Sequence, residues 1–315
     1  MAKAKRVTGI NCKSVASIGI KLVLVTRFEE LYGFQETALD WSDPEGVHSM
    51  RVASRRLRSA LRDFQPYLRK RGLTSVQKRL RNLAGSLGEV RDHDVAILAL
   101  EELEKKAPAT VSPTLKQFIE TRKERREQAR EDLKSALDKT QLDQLQSDFV
   151  AAVDGATDGA KMVSKLQITY LQMSRAVIAD RLKELEKLSA DVYKPFEVET
   201  LHDMRIAAKR LRYAVELFQS CWGRSIGLYA KRAARLQTAL GDLHDCDVWI
   251  ESFGEAIDAA RKQKQEAQVA AFVWLLGHFV KLRTKHLRRA FAEWTKWEAQ
   301  DLSGKLRESL RNKSS

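Results

Sequence analysis

A chain of 315 residues, 43% apolar and 31% charged with five prolines, can bury a real core and suits a soluble helical protein. Three cysteines, Cys12, Cys221 and Cys246, are odd in number, scattered and without metal-ligand spacing, which predicts a reducing compartment and no disulfide framework. The basic N-terminus lacks the apolar run and cleavage site of a secretory segment, and the apolar residues 15–25, broken by Lys21, are too short to cross a bilayer, so the expectation is a cytoplasmic protein without membrane association.

The net charge of +14 is concentrated. Residues 47–81 hold eleven Lys/Arg against Asp63 alone, a balance of +10, and residues 201–235 hold eight against Asp203 and Glu216, a balance of +6. These windows sum to +16, so the rest of the chain is close to neutral. An excess confined to two matching windows points to a polyanion site rather than to general solubility.

In chain order, residues 14–39 read as a helix that packs on both sides. Ser42-Asp43-Pro44-Glu45 is a helix start, with a capping Ser or Asp, proline in the first turn and an acid where the dipole favours one. A basic helix follows to about Leu68, and Gly72 ends the connection. A third helix from Ser75 to about Lys106 carries Leu80, Leu83, Leu87 and Val90, and after Pro108 and Pro113 a fourth, heavily charged helix covers residues 115–137. Residues 141–161, with Asp154-Gly155 and Asp158-Gly159, read as the segment connecting a first half (14–140) to a second (162–299), and residues 300–315 as a short basic tail. In the second half, residues 163–192 correspond to the first helix and Lys194-Pro195 to the break. A third-helix equivalent runs from Arg224 to about Arg261, and an aromatic-rich fourth covers residues 267–297. No segment sustains period-two alternation, so the predicted fold class is all-α, two four-helix bundles.

The halves carry repeated motifs. Residues 47–65 return 154 positions later as residues 201–219, with ten of nineteen pairs identical, among them His48/His202, Met50/Met204, Arg51/Arg205, Arg58/Arg212 and Phe64/Phe218. This is an internal duplication. On a helix, Met50, Ala53, Leu57, Leu61 and Phe64 form one stripe, and His48, Arg51, Arg55, Arg58 and Arg62 another on nearly the opposite side. The second copy sets Met204, Ala207, Leu211, Val215 and Phe218 against His202, Arg205, Lys209 and Arg212, departing at Glu216, which stands where Arg62 does. The apolar stripes are predicted core, and the basic stripes call for an anion.

A second motif aligns residues 87–95 with residues 240–248 at an offset of 153, pairing Gly88/Gly241, Asp92/Asp245, Asp94/Asp247 and Val95/Val248. Glycine inside a helix costs about 1 kcal/mol, so a backbone or ligand is expected to pass close by. The third helices add cations beside the second, Lys78 and Arg81 in the first half and Lys231 and Arg235 in the second.

His48, His93, His202 and His244 with the paired aspartates would suit a metal site, but the cationic neighbourhood repels a metal ion, and His244 stands where Arg91 does while Cys246 stands where His93 does. No metal and no cofactor is expected. Phosphoryl transfer through histidine lacks a nucleotide loop. His48 and His202 read either as imidazole donors to an anion, stronger when protonated, or as hydrogen-bonded histidines near a helix start. Asp92, Asp94, Asp245 and Asp247 read as carboxylates that orient a guanidinium, with Arg56 and Arg210 as natural partners. An ordinary interhelical salt bridge would share that geometry. The clusters at 122–130 and 281–289 read as surface.

These residues resemble the CHAD family, the conserved histidine α-helical domain, through H-x-M-R-x-A-x-[RK]-R-L-R at residues 48–58 and 202–212 and L-G-x-x-[RH]-D-x-D-V at 87–95 and 240–248. The resemblance covers residues 14–297. It implies two pseudo-symmetric four-helix bundles whose basic faces line a central groove or pore, and binding of inorganic polyphosphate, in some bacteria at polyphosphate granules. Phosphate or sulfate is expected to occupy the same site. Carried over by position, the contacting set is His48, Arg51, Arg55, Arg58 and Arg62 with His202, Arg205, Lys209 and Arg212. Relatives often carry a triphosphate tunnel module with E-x-E-x-K. Here Glu184-Leu185-Glu186-Lys187-Leu188 lacks the final lysine, so that module is not expected. The function expected is polyphosphate binding without catalysis, the alternatives being a nucleic-acid-binding helical protein or a metal-dependent phosphohydrolase. The basic helices are nearly bare of aromatics apart from Tyr213, which leaves base stacking little to work with. No protein partner is indicated.

Overall fold

The computed structural model describes residues 4–69, 72–158, 168–223 and 225–312. Among these the chain forms eleven α-helices and no β-strand, with one isolated bridge between Val15 and Thr169. No described helix is long and apolar enough to cross a membrane. The chain divides into two units, Met1–Leu103 with Phe118–Met173, and Glu104–Gln117 with Ser174–Ser315. Lys70, Arg71, Arg224, the last three residues of the expected tail, and residues 159–167, where the connecting segment was expected to meet the second half, lie outside the described residues.

In the first unit the expected opening helix is divided into α1 (Ala16–Tyr32) and one turn of α2 (Gln35–Ala38), with Gly33, at the end of α1, donating its N–H to the Glu29 carbonyl at 3.0 Å. The basic helix α3 (Pro44–Phe64) starts as its sequence dictates, with the Asp43 carboxylate accepting from the Glu45 N–H at 2.9 Å and proline in the first turn. Its start is fixed against α2: a Cβ on Gly46 would sit 1.8 Å from the Thr37 carbonyl oxygen, so only glycine fits. Met50, Ala53, Leu57, Leu61 and Phe64 are all buried. Burying the four large side chains of that stripe contributes roughly 6–12 kcal/mol. The like-charge pairs on the opposite face cost only a few tenths of a kcal/mol each. The core therefore holds α3 helical against its own charge.

Helix α4 (Leu73–Glu104) lays Leu80, Leu83, Leu87 and Val90 into the same core, and α5 (Ser112–Ala136) follows. Residues 141–157 of the expected connecting segment lie in a helix, α6 (Lys139–Thr157). Asp138 caps it by accepting from the Gln141 N–H at 3.1 Å, and Leu142, Leu145, Phe149 and Val153 are buried at helical spacing, with Phe149 stacked on Phe28 of α1.

In the second unit, α7 (Tyr170–Lys187) precedes the second basic helix α8 (Val198–Trp222), which buries Met204, Ala207, Leu211, Val215 and Phe218. Helices α9 (Gly227–Lys262) and α10 (Glu266–Ala299) pack along their length through Phe253, Phe272 and Phe279. The expected tail forms α11 (Leu302–Asn312), an amphipathic helix that buries Leu302, Leu306 and Leu310. Cys246 is a buried free thiol.

Each basic helix is held by a glutamate carboxylate from an earlier helix of its unit. In the first unit Glu30 of α1 accepts from Arg27 on its own helix and from Arg56 of α3 at 2.7 Å. In the second unit Glu184 of α7 accepts from Arg181 at 2.9 Å and from Arg210 of α8. The Glu30 side chain is 4% exposed and that of Glu184 25%. Removing a carboxylate that neutralises two buried guanidinium groups costs about 3–5 kcal/mol, more where water cannot reach the orphaned charges. Glu30→Ala is thus expected to lower unfolding free energy by about 3–5 kcal/mol in urea titrations, and Glu184→Ala by clearly less. Equal losses would contradict this reading.

Candidate functional site

The outward face of α3 presents the cations that the sequence places there. Arg51 lies across Gly88 of α4, where an added Cβ would be 3.8 Å from its Nε, and donates to Asp92 at 3.2 Å. An arginine side chain of the same unit passes over the glycine, at ordinary contact distance. His48 is half-buried near Arg91 of α4. Burial first, then the Arg91 charge, lowers its pKa, with Arg55 adding to the fall and Glu45 opposing it. Arg62 donates to Ser59 Oγ at 2.7 Å and lies beside buried Asp63.

Arg58 is the exposed member of the stripe, and it faces Arg81 of α4. Partial loss of hydration, then the neighbouring Arg81 charge, lowers the Arg58 pKa. Neither guanidinium has a carboxylate partner among the described residues, and exposed Lys78 lies on α4 one turn before Arg81. Two like charges held together without a counterion are an unfavourable arrangement that an anion would relieve.

The second unit is built differently. His202 and His244 meet through their Nδ1 atoms at 3.2 Å, with ring centroids 4.3 Å apart. Arg205 crosses Gly241 as Arg51 crosses Gly88, its Cδ 3.8 Å from an added Cβ. Burial first lowers the pKa of both histidines. His244, Arg205 and Lys209 depress His202 further against Asp203, and Arg205 depresses His244 against Asp247. Arg212, expected on the accessible face, is 6% exposed, its guanidinium over the Tyr213 ring at 4.5 Å and its Nε 3.7 Å from Glu216. The second face therefore keeps Arg205 and Lys209, with exposed Lys231 and Arg235 on α9, and lacks counterparts of Arg58 and Arg62.

The expected orienting pairs are also redistributed. Arg56 and Arg210 are taken up by Glu30 and Glu184, not by the motif aspartates. Asp92 holds Arg51. Buried Asp94 faces Arg126 of α5 at 3.7 Å, its pKa raised by burial, and Asp247 accepts from Arg283 of α10 at 2.5 Å. Asp245 is exposed on α9. The glutamate clamps lie outside both motifs. Their signal was present nonetheless, since Arg27/Glu30 and Arg181/Glu184 recur at the same offset of 154. His93 shares an open depression with Gly85, Gly88, Glu89, Asp92 and Arg122.

His48, His93, His202, His244 and His278 all have pKa values below the ordinary 6.5, with burial the largest cause. A depressed histidine pKa means that the folded state binds fewer protons than the unfolded one near neutrality. Its stabilising contribution is full above about pH 6.5 and is lost as pH falls through the folded pKa. Without anions, the melting temperature should drop between pH 7.5 and 5, above the range in which carboxylates titrate. A flat or rising melting temperature in that window would refute this.

A family model described as CHAD domain matches residues 24–254. Among solved structures, the crystal structure of the CHAD domain from the plant Ricinus communis superposes with a TM-score of 0.72 at 23% identity, covering 92% of this chain and 95% of that one. PptA from Streptomyces chartreusis superposes with a TM-score of 0.66 at 16% identity, covering 90% and 100%. At these identities the likeness speaks for the fold alone. No curated protein sequence matches. With the family model spanning well over half its length, the chain belongs to the CHAD domain family.

Proposed function

We propose that this protein binds inorganic polyphosphate, foremost through the α3–α4 face of its first unit, without turning it over. The observation that carries the reading is the juxtaposition of Arg58 and Arg81, two guanidinium groups without a carboxylate partner among the described residues, on the face that also presents His48, Arg51 and Arg55. Guanidinium groups donate in pairs to phosphate oxygens, and a linear polyanion can meet several in succession. Such a protein would collect wherever polyphosphate accumulates, including granules.

Two observations favour polyphosphate over the alternatives. Tyr213, Phe218 and Trp222, the aromatic residues of the second basic helix, are all buried, with Tyr213 covered by Arg212, so none offers a platform for a base. Four of the motif acids that a metal-dependent phosphohydrolase would draw on as ligands are engaged by arginines, Asp92 by Arg51, Asp94 by Arg126, Asp247 by Arg283 and Asp242 by Arg289.

The test is equilibrium binding of labelled polyphosphate across a salt series. Arg58→Ala/Arg81→Ala should weaken binding at least tenfold, about 1.4 kcal/mol, and lower the slope of log K against log salt by about 1.5–2. Lys183→Ala/Lys187→Ala, which removes two exposed charges from α7, should leave both unchanged. Binding of the arginine double variant with wild-type affinity and slope would contradict the proposal.

A further inference from the structure

The two basic faces differ in the kind of charge they carry. Beside His48 stands Arg91, a permanent cation, whereas the equivalent place beside His202 is held by His244. The Nδ1–Nδ1 hydrogen bond at 3.2 Å requires that one ring donate and the other accept. The pair can therefore hold one shared hydrogen bond, or two charges that repel, but not both. We infer that the second unit is a proton-loaded anion site, in which a polyanion binds together with protons taken up by the His202–His244 pair, while the first unit binds through fixed charge. This rests on the polyphosphate reading and adds to it a division of labour between the units.

The surroundings of the pair support this. On α8, Arg205 and Lys209 face His202 and oppose a further positive charge, with Asp203 the counterweight. From α9, Asp247 faces His244, but its carboxylate accepts from Arg283 of α10. Asp242, five residues before Asp247 on α9, is held by Arg289 at 2.9 Å and lies 3.6 Å from His286 Nδ1, both on α10. Asp247 and Asp242 are thus held by arginines, which leaves Asp203 as the counterweight on α8, and an imidazolium here is only partly compensated from within. A bound phosphate chain would supply that charge, and by linkage whatever raises the proton affinity of the pair is itself bound more tightly as protons are added.

The experiment follows the imidazole resonances of histidine-labelled full-length protein by NMR from pH 8 to 5, without and with short-chain inorganic polyphosphate. Assignment uses His202→Gln and His244→Gln. Polyphosphate affinity is measured at pH 8 and pH 6 in parallel, for the wild type, His48→Gln and His244→Arg. The expected result is that polyphosphate moves the midpoints of His202 and His244 upward by about one unit or more, equivalent to about tenfold tighter binding per proton. Wild type and His48→Gln should then bind more tightly at pH 6 than at pH 8. His244→Arg, which installs the fixed charge of the first unit, should bind at pH 8 more tightly than wild type and show a flatter pH dependence. If polyphosphate binds but the pair's midpoints stay put, or if His244→Arg keeps the wild-type pH dependence, proton loading is wrong while the polyphosphate reading stands. If polyphosphate binds at neither pH, both fall together. Circular dichroism of each variant checks that it is folded.

Discussion

A helix that gathers four or five cations on one face exists only if something else keeps it folded, and the rest of this structure follows from how that is done. In α3 and α8 the opposite face is core, filled in each by a methionine, an alanine, two aliphatic positions and a phenylalanine. Burial of that stripe outweighs the mutual repulsion of the cations by several-fold. The helices are also fixed in rotation. Glu30 and Glu184 grip Arg56 and Arg210 at the edge of each basic stripe, so the remaining cations cannot roll toward the core to escape one another. The charge is held outward, and in the first unit part of it stays uncompensated.

The two units spend that charge differently. In the first, Arg58 and Arg81 face each other and Arg91 stands behind His48, so the face is cationic at any ordinary pH. In the second, Arg212 is folded over Tyr213 toward Glu216, and a neutral-leaning histidine, His244, stands beside His202 where the first unit has Arg91. One sequence motif thus yields a permanent face and a conditional one. The departures are three side chains, Glu216, Tyr213 and His244, each standing where the first unit has Arg62, Ser59 or Arg91.

Much of this was legible from periodicity. The core stripes of both basic helices, the Asp43-Pro44 start and the all-α class follow from spacing and capping chemistry, which are local. What was misread depends on tertiary context. Asp154-Gly155 looks like a turn, but the buried Leu142, Phe149 and Val153 carry α6 through it. Residues 300–315 were read only as a short basic tail, yet the spacing of Leu302, Leu306 and Leu310 makes α11 amphipathic. The orienting role was assigned to aspartates because they lie in a repeated motif, while the acids that hold Arg56 and Arg210 sit on the preceding helices in stretches with little else in common. Glu184 was read only as a fragment of a catalytic signature. The burial of Arg212 had no signal in its own motif, being set by its neighbours Tyr213 and Glu216.

The central claim is that these faces recognise a polyphosphate chain and not polyanions at large. Competition binding at physiological ionic strength tests it most directly, with labelled polyphosphate on the protein and unlabelled single-stranded RNA or polyphosphate added at matched phosphate concentration. With no exposed aromatic on the basic helices to stack bases, unlabelled polyphosphate should displace the label while RNA does so only at much higher concentration or lower salt. Displacement by RNA as effective as that by polyphosphate would contradict the account, leaving a basic surface without the specificity claimed for it.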